Sequence, residues 1–358
     1  MKRNVLRRAI RLAAFAGSIV AATACSDAVM PTGPLPRAEP SFAAGTGGAS
    51  IVKSIIGLEP LLDASINISG PAQISDLGQV VGFSRNAANE NRAVIWEGST
   101  FPQDLGSLGG PETTASGITP DGSVIVGNSS RGFDSTPIAV RWVRLNGAWT
   151  IDELPLLAGA TWCRTVDIGG NGTIVGNCLV GSSGVVVAWR NGVVANLGVG
   201  HPVAVSNNNQ ILVNLNDEPQ IWDLRTTPMT VVSLGKLGGN LTSGRDINDA
   251  GDVVGSARFN GPSSHAFLWT AKKGMVELIG GGGDIDASGI NNAGQIVGTE
   301  FVVGGSARAV YWSKGKYYDL GVLAGYGAST ARAINANGQV VGHSSSASNL
   351  RTTVWSLK

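Results

Sequence analysis

The sequence predicts an all-β protein, a seven-bladed β-propeller of four-stranded blades in which an N-terminal strand within residues 51–62 completes the last blade. Three observations predict it: a turn motif present seven times, a tryptophan on the same beat, and two chain ends that complement each other. The motif is clearest at Ala331–Gly342, Ala-Arg-Ala-Ile-Asn-Ala-Asn-Gly-Gln-Val-Val-Gly. Its copies are Ile74–Gly82, Ile118–Gly127, Ile168–Gly176, Val205–Val213, Ile247–Gly255, Ile290–Gly298 and Ile334–Gly342. The fourth is degenerate, with Asn209 at the turn glycine and Val213 at the closing glycine. Successive turns lie about 37 to 50 residues apart, the size of a propeller blade.

The tryptophans are Trp96, Trp142, Trp189, Trp222, Trp269, Trp312 and Trp355, one after each copy; only Trp149 and Trp162 fall outside the series. A large apolar side chain at one site per unit fills the space between stacked sheets. The ends fit as follows. The seventh unit stops at Trp355-Ser356-Leu357-Lys358, before the Leu-Gly strand that Asp104–Gly110, Ser233–Gly239 and Asp319–Gly325 supply elsewhere, while Ile51–Leu62 precedes the first unit where that strand is missing. Pairing the two leaves no long open edge.

Each element has a local reason. Runs such as Gln79-Val80-Val81 and Ala266-Phe267-Leu268-Trp269 are β-branched or aromatic and bounded by Gly, Asn, Asp and Ser, which is strand chemistry. Between two runs, Ile-Asn-x-x-Gly is a hairpin: Asn or Asp starts the turn and glycine takes its left-handed position. Each unit reads as four strands, Ala-x-x-Ile, Val-Val-Gly, Val-x-Trp and Leu-Gly. One such sheet cannot bury both faces alone and stacks on its neighbours. Small residues among the 51 glycines allow close approach.

Residues 1–25 read as a targeting segment and 26–50 as a tether rich in Pro, Gly, Ser and Ala, leaving 51–358 as one repeat domain. Lys2, Arg3, Arg7, Arg8 and Arg11 precede the apolar Leu12–Ala22, which is too short to span a bilayer. Ala22-Thr23-Ala24-Cys25 resembles the bacterial lipoprotein cleavage box, with Ala22 where leucine is usual. The resemblance implies lipid attachment at Cys25, and Ser26 after it implies the outer membrane; the alternative is a secretory signal cut near Ala24. The membrane is then touched through a lipid anchor only. Transmembrane barrels need strands of about 9–11 residues and aromatic girdles; here the strands are shorter and aromatics are 6%. Charged residues are 14% and the net charge is +1, so no nucleic-acid signature exists.

Cys163 and Cys178 flank the third turn. If Ile168 pairs with Thr173, Cys163 faces Cys178, and a glycine bulge shifts this by one. An oxidising compartment permits a cross-strand disulfide; the alternative is two small buried thiols.

No catalytic residue, metal site or cofactor is expected. His201, His265 and His343 are scattered, and the aspartates around Gly251 lack a calcium loop's ligand series. Gly181-Ser182-Ser183-Gly184 is a plain loop, and Gly280–Gly283 has no Gly-Lys-Ser/Thr after it. Glycosidases need two carboxylates about 5–10 Å apart. Asp104, Glu153, Glu277 and Asp319 recur at equivalent places, and repeated residues serve strand ends more readily than a unique site. The residue four before each tryptophan gives one ligand hypothesis. Arg92, His265, Arg308 and Arg351 fall in units one, five, six and seven, which are consecutive in a closed ring. A basic arc of this kind holds an anion, unless the four only protect strand edges.

His265-Ala266-Phe267-Leu268-Trp269, then Glu277-Leu278, then Ser288–Gly298, resembles the bacterial extracellular HAF repeat, and Arg308–Trp312 with Asp319-Leu320-Gly321 is similar to it too. The resemblance covers roughly residues 51–358, strongest in units five to seven. It implies a secreted or surface location and transfers no catalytic residues. The expected function is an extracytoplasmic cell-envelope binding module for a glycan, an envelope polymer or a protein. The alternatives are a polysaccharide lyase or hydrolase and a purely structural surface protein.

Overall fold

The β-rich runs all become antiparallel strands. The computed structural model describes residues 43–44, 51–61, 68–132, 134–239, 241–258, 263–302 and 304–358. The leader over 1–25, with Cys25, lies outside the described residues. So does the tether over 26–50, apart from a two-residue strand, Ala43–Ala44, parallel to Lys316–Tyr317 on the sixth blade.

Seven four-stranded blades follow. From the axis outward, blade one comprises Ser69–Ile74, Val80–Arg85, Asn91–Trp96 and Gln103–Asp104. Blades two to six occupy 113–153, 160–199, 201–233, 241–277 and 284–319 in the same order. Blade seven takes Ala328–Ile334, Gln339–Ser345 and Leu350–Leu357 from the C-terminus and Val52–Gly57 from the N-terminal side. The innermost strand of each blade touches those of its two neighbours, Ala328–Ile334 against Ser69–Ile74 included, so the ring is closed.

The Leu-Gly marker needs one correction. It follows the outer strand and is not the strand itself: Gln103–Asp104 ends before Leu105, and Lys316–Asp319 before Leu320. Leu105, Leu278 and Leu320 are buried, and their N–H groups donate to the third strand at Ala93, Ala266 and Ala309. In blade seven Leu58 takes this place, donating to the Thr352 carbonyl.

The tryptophans pack between blades as expected. Trp142 lies against Val81, Ile95 and Leu105 of blade one, and Trp312 against Val254 and Leu278 of blade five. Trp269 is the exception and is only half-buried. Phe267, fully buried two residues earlier, crosses the glycine of the second strand in its stead: a Cβ on Gly255 would meet Phe267 at 2.9 Å, whereas one on Gly176 would meet Trp189 at 2.7 Å.

The turn asparagine does more than start a hairpin. Asn291 Oδ1 accepts from the N–H groups of Ala293 and Gln295 in its own turn, and its Nδ2 donates to the Asn335 carbonyl of the next blade. Asn248 does the same towards Asn291, and Asn335 towards Ser75, so a ladder of side-chain amides crosses the closure between the last blade and the first. Asn209 holds φ at 64° where the other units have glycine, a conformation asparagine tolerates better than most side chains.

Cys163 and Cys178 form a disulfide across the first two strands of blade three. The register reaches it by two offsets that cancel. Ile168 pairs with Ile174 and not with Thr173, and a bulge between Thr165 and Asp167 restores the lost residue.

Candidate functional site

The bulge recurs. Every inner strand slips register near its end, between Pro71 and Gln73 in blade one and between Ala331 and Ala333 in blade seven, with equivalents in all five others. A bulge leaves one residue unpaired and re-aims it. These extra residues line a chamber of about 540 Å³ at the end of the axial channel where the inner strands begin. Five are small or aliphatic: Ala72, Ser116, Val166, Val203 and Ser288. Two are arginines, Arg245 and Arg332.

The next residue along each inner strand forms a second tier. Gly117, Ala204, Gly289 and Ala333 are small, while blades one, three and five carry Gln73, Asp167 and Asp246. These three line both the large chamber and a smaller one of about 120 Å³ among the turns, and so mark the neck between them.

Each aspartate staples two blades. Asp167 accepts from the N–H of Ile168 (2.8 Å) with one oxygen and from Val205 of blade four (2.9 Å) with the other. Asp246 accepts from Ile247 and from Ile290 of blade six, both at 2.8 Å. Gly117 leaves space for the first carboxylate, since a Cβ there would sit 3.0 Å from Asp167 Oδ1.

Removal from bulk water outweighs these hydrogen bonds and the Arg332 charge, pushing the Asp167 carboxyl up to about 6. It pushes Asp246 up to about 7, with the Asp167 charge adding to the rise. The folded protein therefore holds these protons more tightly than the unfolded chain. The associated stability is complete below about pH 4 and is lost as pH rises through about 6 to 7. His343, on the same wall, is displaced downward by burial and then by Arg332, and its contribution runs the other way, lost as pH falls. The Asp167→Ala/Asp246→Ala protein is expected to lack the acidic-side gain. Unfolding free energies from urea titrations between pH 5 and 8 should give a wild-type minus variant difference that shrinks with rising pH by one to a few kcal/mol, about 1.4 kcal/mol for each pH unit of displacement. A difference independent of pH would refute the assignment.

The four residues of the expected basic arc lie on third strands, near the blade exterior. Each meets a carboxylate on the outer strand or closing segment of its blade. Arg92 pairs with Asp104 (2.9 Å), His265 with Glu277 (2.7 Å), Arg308 with Asp319 (3.9 Å) and Arg351 with Glu59. The recurring carboxylates Asp104, Glu277 and Asp319 thereby acquire a cross-strand role. Arg245 and Arg332 differ: among the described residues neither has a hydrogen-bond or ion-pair partner, and both are exposed to the chamber. The sequence carries their signal in the column two places before the repeat's isoleucine, which reads Ala, Ser, Val, Val, Arg, Ser, Arg around the ring. Among the described residues, no three His, Cys, Asp or Glu side chains gather to hold a metal ion.

No protein-family model matches the sequence, and no curated protein matches it as a relative. Solved structures do match. The β-propeller domain of the Trilobed protease from Pyrococcus furiosus aligns with a TM-score of 0.57 at 12% identity, over 82% of this chain and 94% of that one. Virginiamycin B lyase from Staphylococcus aureus aligns with a TM-score of 0.53 at 11% identity, over 84% and 99%. TolB from Acinetobacter baumannii aligns with a TM-score of 0.47 at 13% identity, over 79% of this chain and 65% of that one. The likeness is one of fold: the chain is a seven-bladed β-propeller. The Pyrococcus domain is described as having an open velcro topology, whereas here Val52–Gly57 closes the last blade.

Proposed function

We propose that the protein is an extracytoplasmic binding module of the cell envelope, recognising a glycan, an envelope polymer or a protein in the large chamber of its channel. One observation carries this reading. The inner strands repeat their packing residues from blade to blade but depart from the repeat at the residues facing the chamber, where Gln73, Asp167, Arg245, Asp246 and Arg332 appear. A concave site with a few convergent polar groups is where small ligands bind. The Cys163–Cys178 disulfide favours an oxidising compartment, in keeping with the leader, the lipid attachment at Cys25 and the HAF-repeat resemblance. With Arg92, His265, Arg308 and Arg351 each facing a carboxylate, the chamber arginines are better placed than that arc to meet an anion.

A second reading, a polysaccharide lyase or hydrolase, draws on the two carboxyls with raised affinity for protons at the neck, since perturbed pairs in a cleft serve acid–base chemistry. Against it, every oxygen of both already accepts a backbone N–H. A glycan and polysaccharide array probed with residues 45–358 at two salt concentrations separates the readings. Retained, unshortened sugar is expected. Shortened sugar would favour the enzyme, and a blank array would count against glycan recognition and point to a protein partner or a structural role.

A further inference from the structure

We propose that the large chamber binds a monoanionic sugar of the uronate class, with its carboxylate held by Arg245 and Arg332. This rests on the channel reading above and names its ligand.

The two arginines are the starting point. They occupy the same bulge position in blades five and seven, with Ser288 of blade six between them in the ring. Their exposure within a chamber, without a partner among the described residues, contrasts with Arg92, His265, Arg308 and Arg351 on the third strands, each of which meets a carboxylate. A guanidinium presents a planar fork that matches a carboxylate through two parallel hydrogen bonds.

The surroundings limit the ligand's charge. Asp167 and Asp246 stand at the neck, and Asp286 lines the same chamber. With the neck carboxyls holding their protons up to about pH 6 to 7, the two guanidiniums and Asp286 leave about one net positive charge, which suits a single negative charge; a dianionic phosphate ester would meet more repulsion than the arginines offset. The other contacts suit a sugar. Asp286 uses one oxygen to accept the Ser264 hydroxyl at 2.5 Å, which leaves its second oxygen to accept from a ligand hydroxyl. Phe301 lies on the chamber wall with 47% of its surface exposed and continues into the groove that Arg245 shares with Arg258 and Asp284. An exposed aromatic face beside polar groups takes the C–H face of a pyranose, an apolar body with a polar rim. The chamber narrows from about 540 Å³ to about 120 Å³ beyond the neck, so the ligand enters from the side on which the inner strands begin.

The test is calorimetric titration of the full chain with the methyl glycosides of galacturonate, mannuronate and glucuronate, each a monoanion, beside its methyl ester. The esters keep size and hydroxyls and remove the charge. At least one acid is expected to bind roughly tenfold or more tightly than its ester, and Arg245→Gln and Arg332→Gln are each expected to remove a similar factor, the worth of a charge-assisted hydrogen bond. Arg92→Gln, on the blade exterior, should leave binding unchanged. Both chamber arginines are exposed, so their variants should keep the wild-type melting temperature. If acid and ester bind alike and neither chamber variant changes affinity, while Ser288→Trp blocks binding, the uronate assignment is wrong and the channel reading survives. If no uronate binds, or Ser288→Trp leaves binding intact, the assignment falls together with a sugar site in the channel.

Discussion

A chain that begins at residue 62 is expected to lose most of the stability of one that begins at residue 45. Residues 51–61 supply the fourth strand of blade seven and the leucine that follows it. Ile55 sits opposite Trp355 and Ile56 opposite Val354; Leu58 is buried with Trp96 and Val341, and Leu61 packs beside them. Burying one such side chain fully stabilises a fold by about 1.5–3 kcal/mol. Leu58 with the half-buried Val52, Ile55 and Leu61 thus accounts for about 5 kcal/mol, against a total of about 5–15 kcal/mol for a typical domain. Polar losses add to this. Trp96 Nε1 would no longer donate to the Glu59 carbonyl (2.8 Å), and Arg351 would lose the Glu59 carboxylate. Leu350–Leu357 would become an open edge, which invites pairing between molecules. Urea denaturation and size-exclusion chromatography should show an early, broad transition and self-association, and a synthetic peptide of residues 50–62 added in trans should reverse part of both. A transition within about 1 kcal/mol of the longer chain would mean that the ring does not depend on this closure.

Much of this fold was legible because each blade repeats one solution to one packing problem. Turn residues, strand residues and the inter-blade tryptophan are local or strictly periodic, so seven noisy copies reveal them. The closing strand was legible by subtraction, from a unit lacking its last strand and a leading segment with nowhere else to go. What escaped depends on register. Nothing local in Arg-Ala-Ile-Asn signals that the inner strand bulges one residue before Ala333, yet that bulge turns Arg332 into the chamber. The two cancelling offsets around Cys163 and Cys178 have the same origin. The basic residues of the third strand stand out in the sequence because they fall in consecutive units of a closed ring. Recurrence instead marks the structural partnership of Arg92 with Asp104 and of Arg308 with Asp319. The second role of Asn248 and Asn291 is invisible locally, because the partner of each lies about forty residues away in the next blade and no local pattern encodes a contact between copies.

The bulge also governs the second large effect expected of a single substitution. Gly342→Ala should destabilise the protein by more than about 4 kcal/mol, the range reserved for a named steric or burial defect. Six units carry glycine at the centre of the second strand, and in all six an added Cβ would lie against the same atom, a carbonyl oxygen of the inner strand beside the bulge. The distance is 1.9 Å to Thr330 in blade seven, 2.0 Å to Asp286 behind Gly298, and 2.1 Å to Gly70 behind Gly82. A backbone oxygen cannot rotate aside as a side chain can. Relief requires the inner strand to move, and its neighbours hold it on both sides. The fourth blade shows how the requirement is met otherwise. Val213 stands where the glycine should be, and the room is made by Gly200, where a Cβ would lie 2.6 Å from Val213 Cγ1 and 3.2 Å from Val186 Cγ2. Those obstacles are side-chain methyls, so Gly200→Ala should cost only about 1–3 kcal/mol, as overpacking does. Val213→Ala should recover part of that loss, a coupling that a double-mutant cycle measures directly. Additive effects of Gly200→Ala and Val213→Ala would show that the missing glycine of the fourth repeat is not compensated across the strand pair. A Gly342→Ala protein that unfolds at the wild-type urea concentration would show that the bulged strand is free to shift.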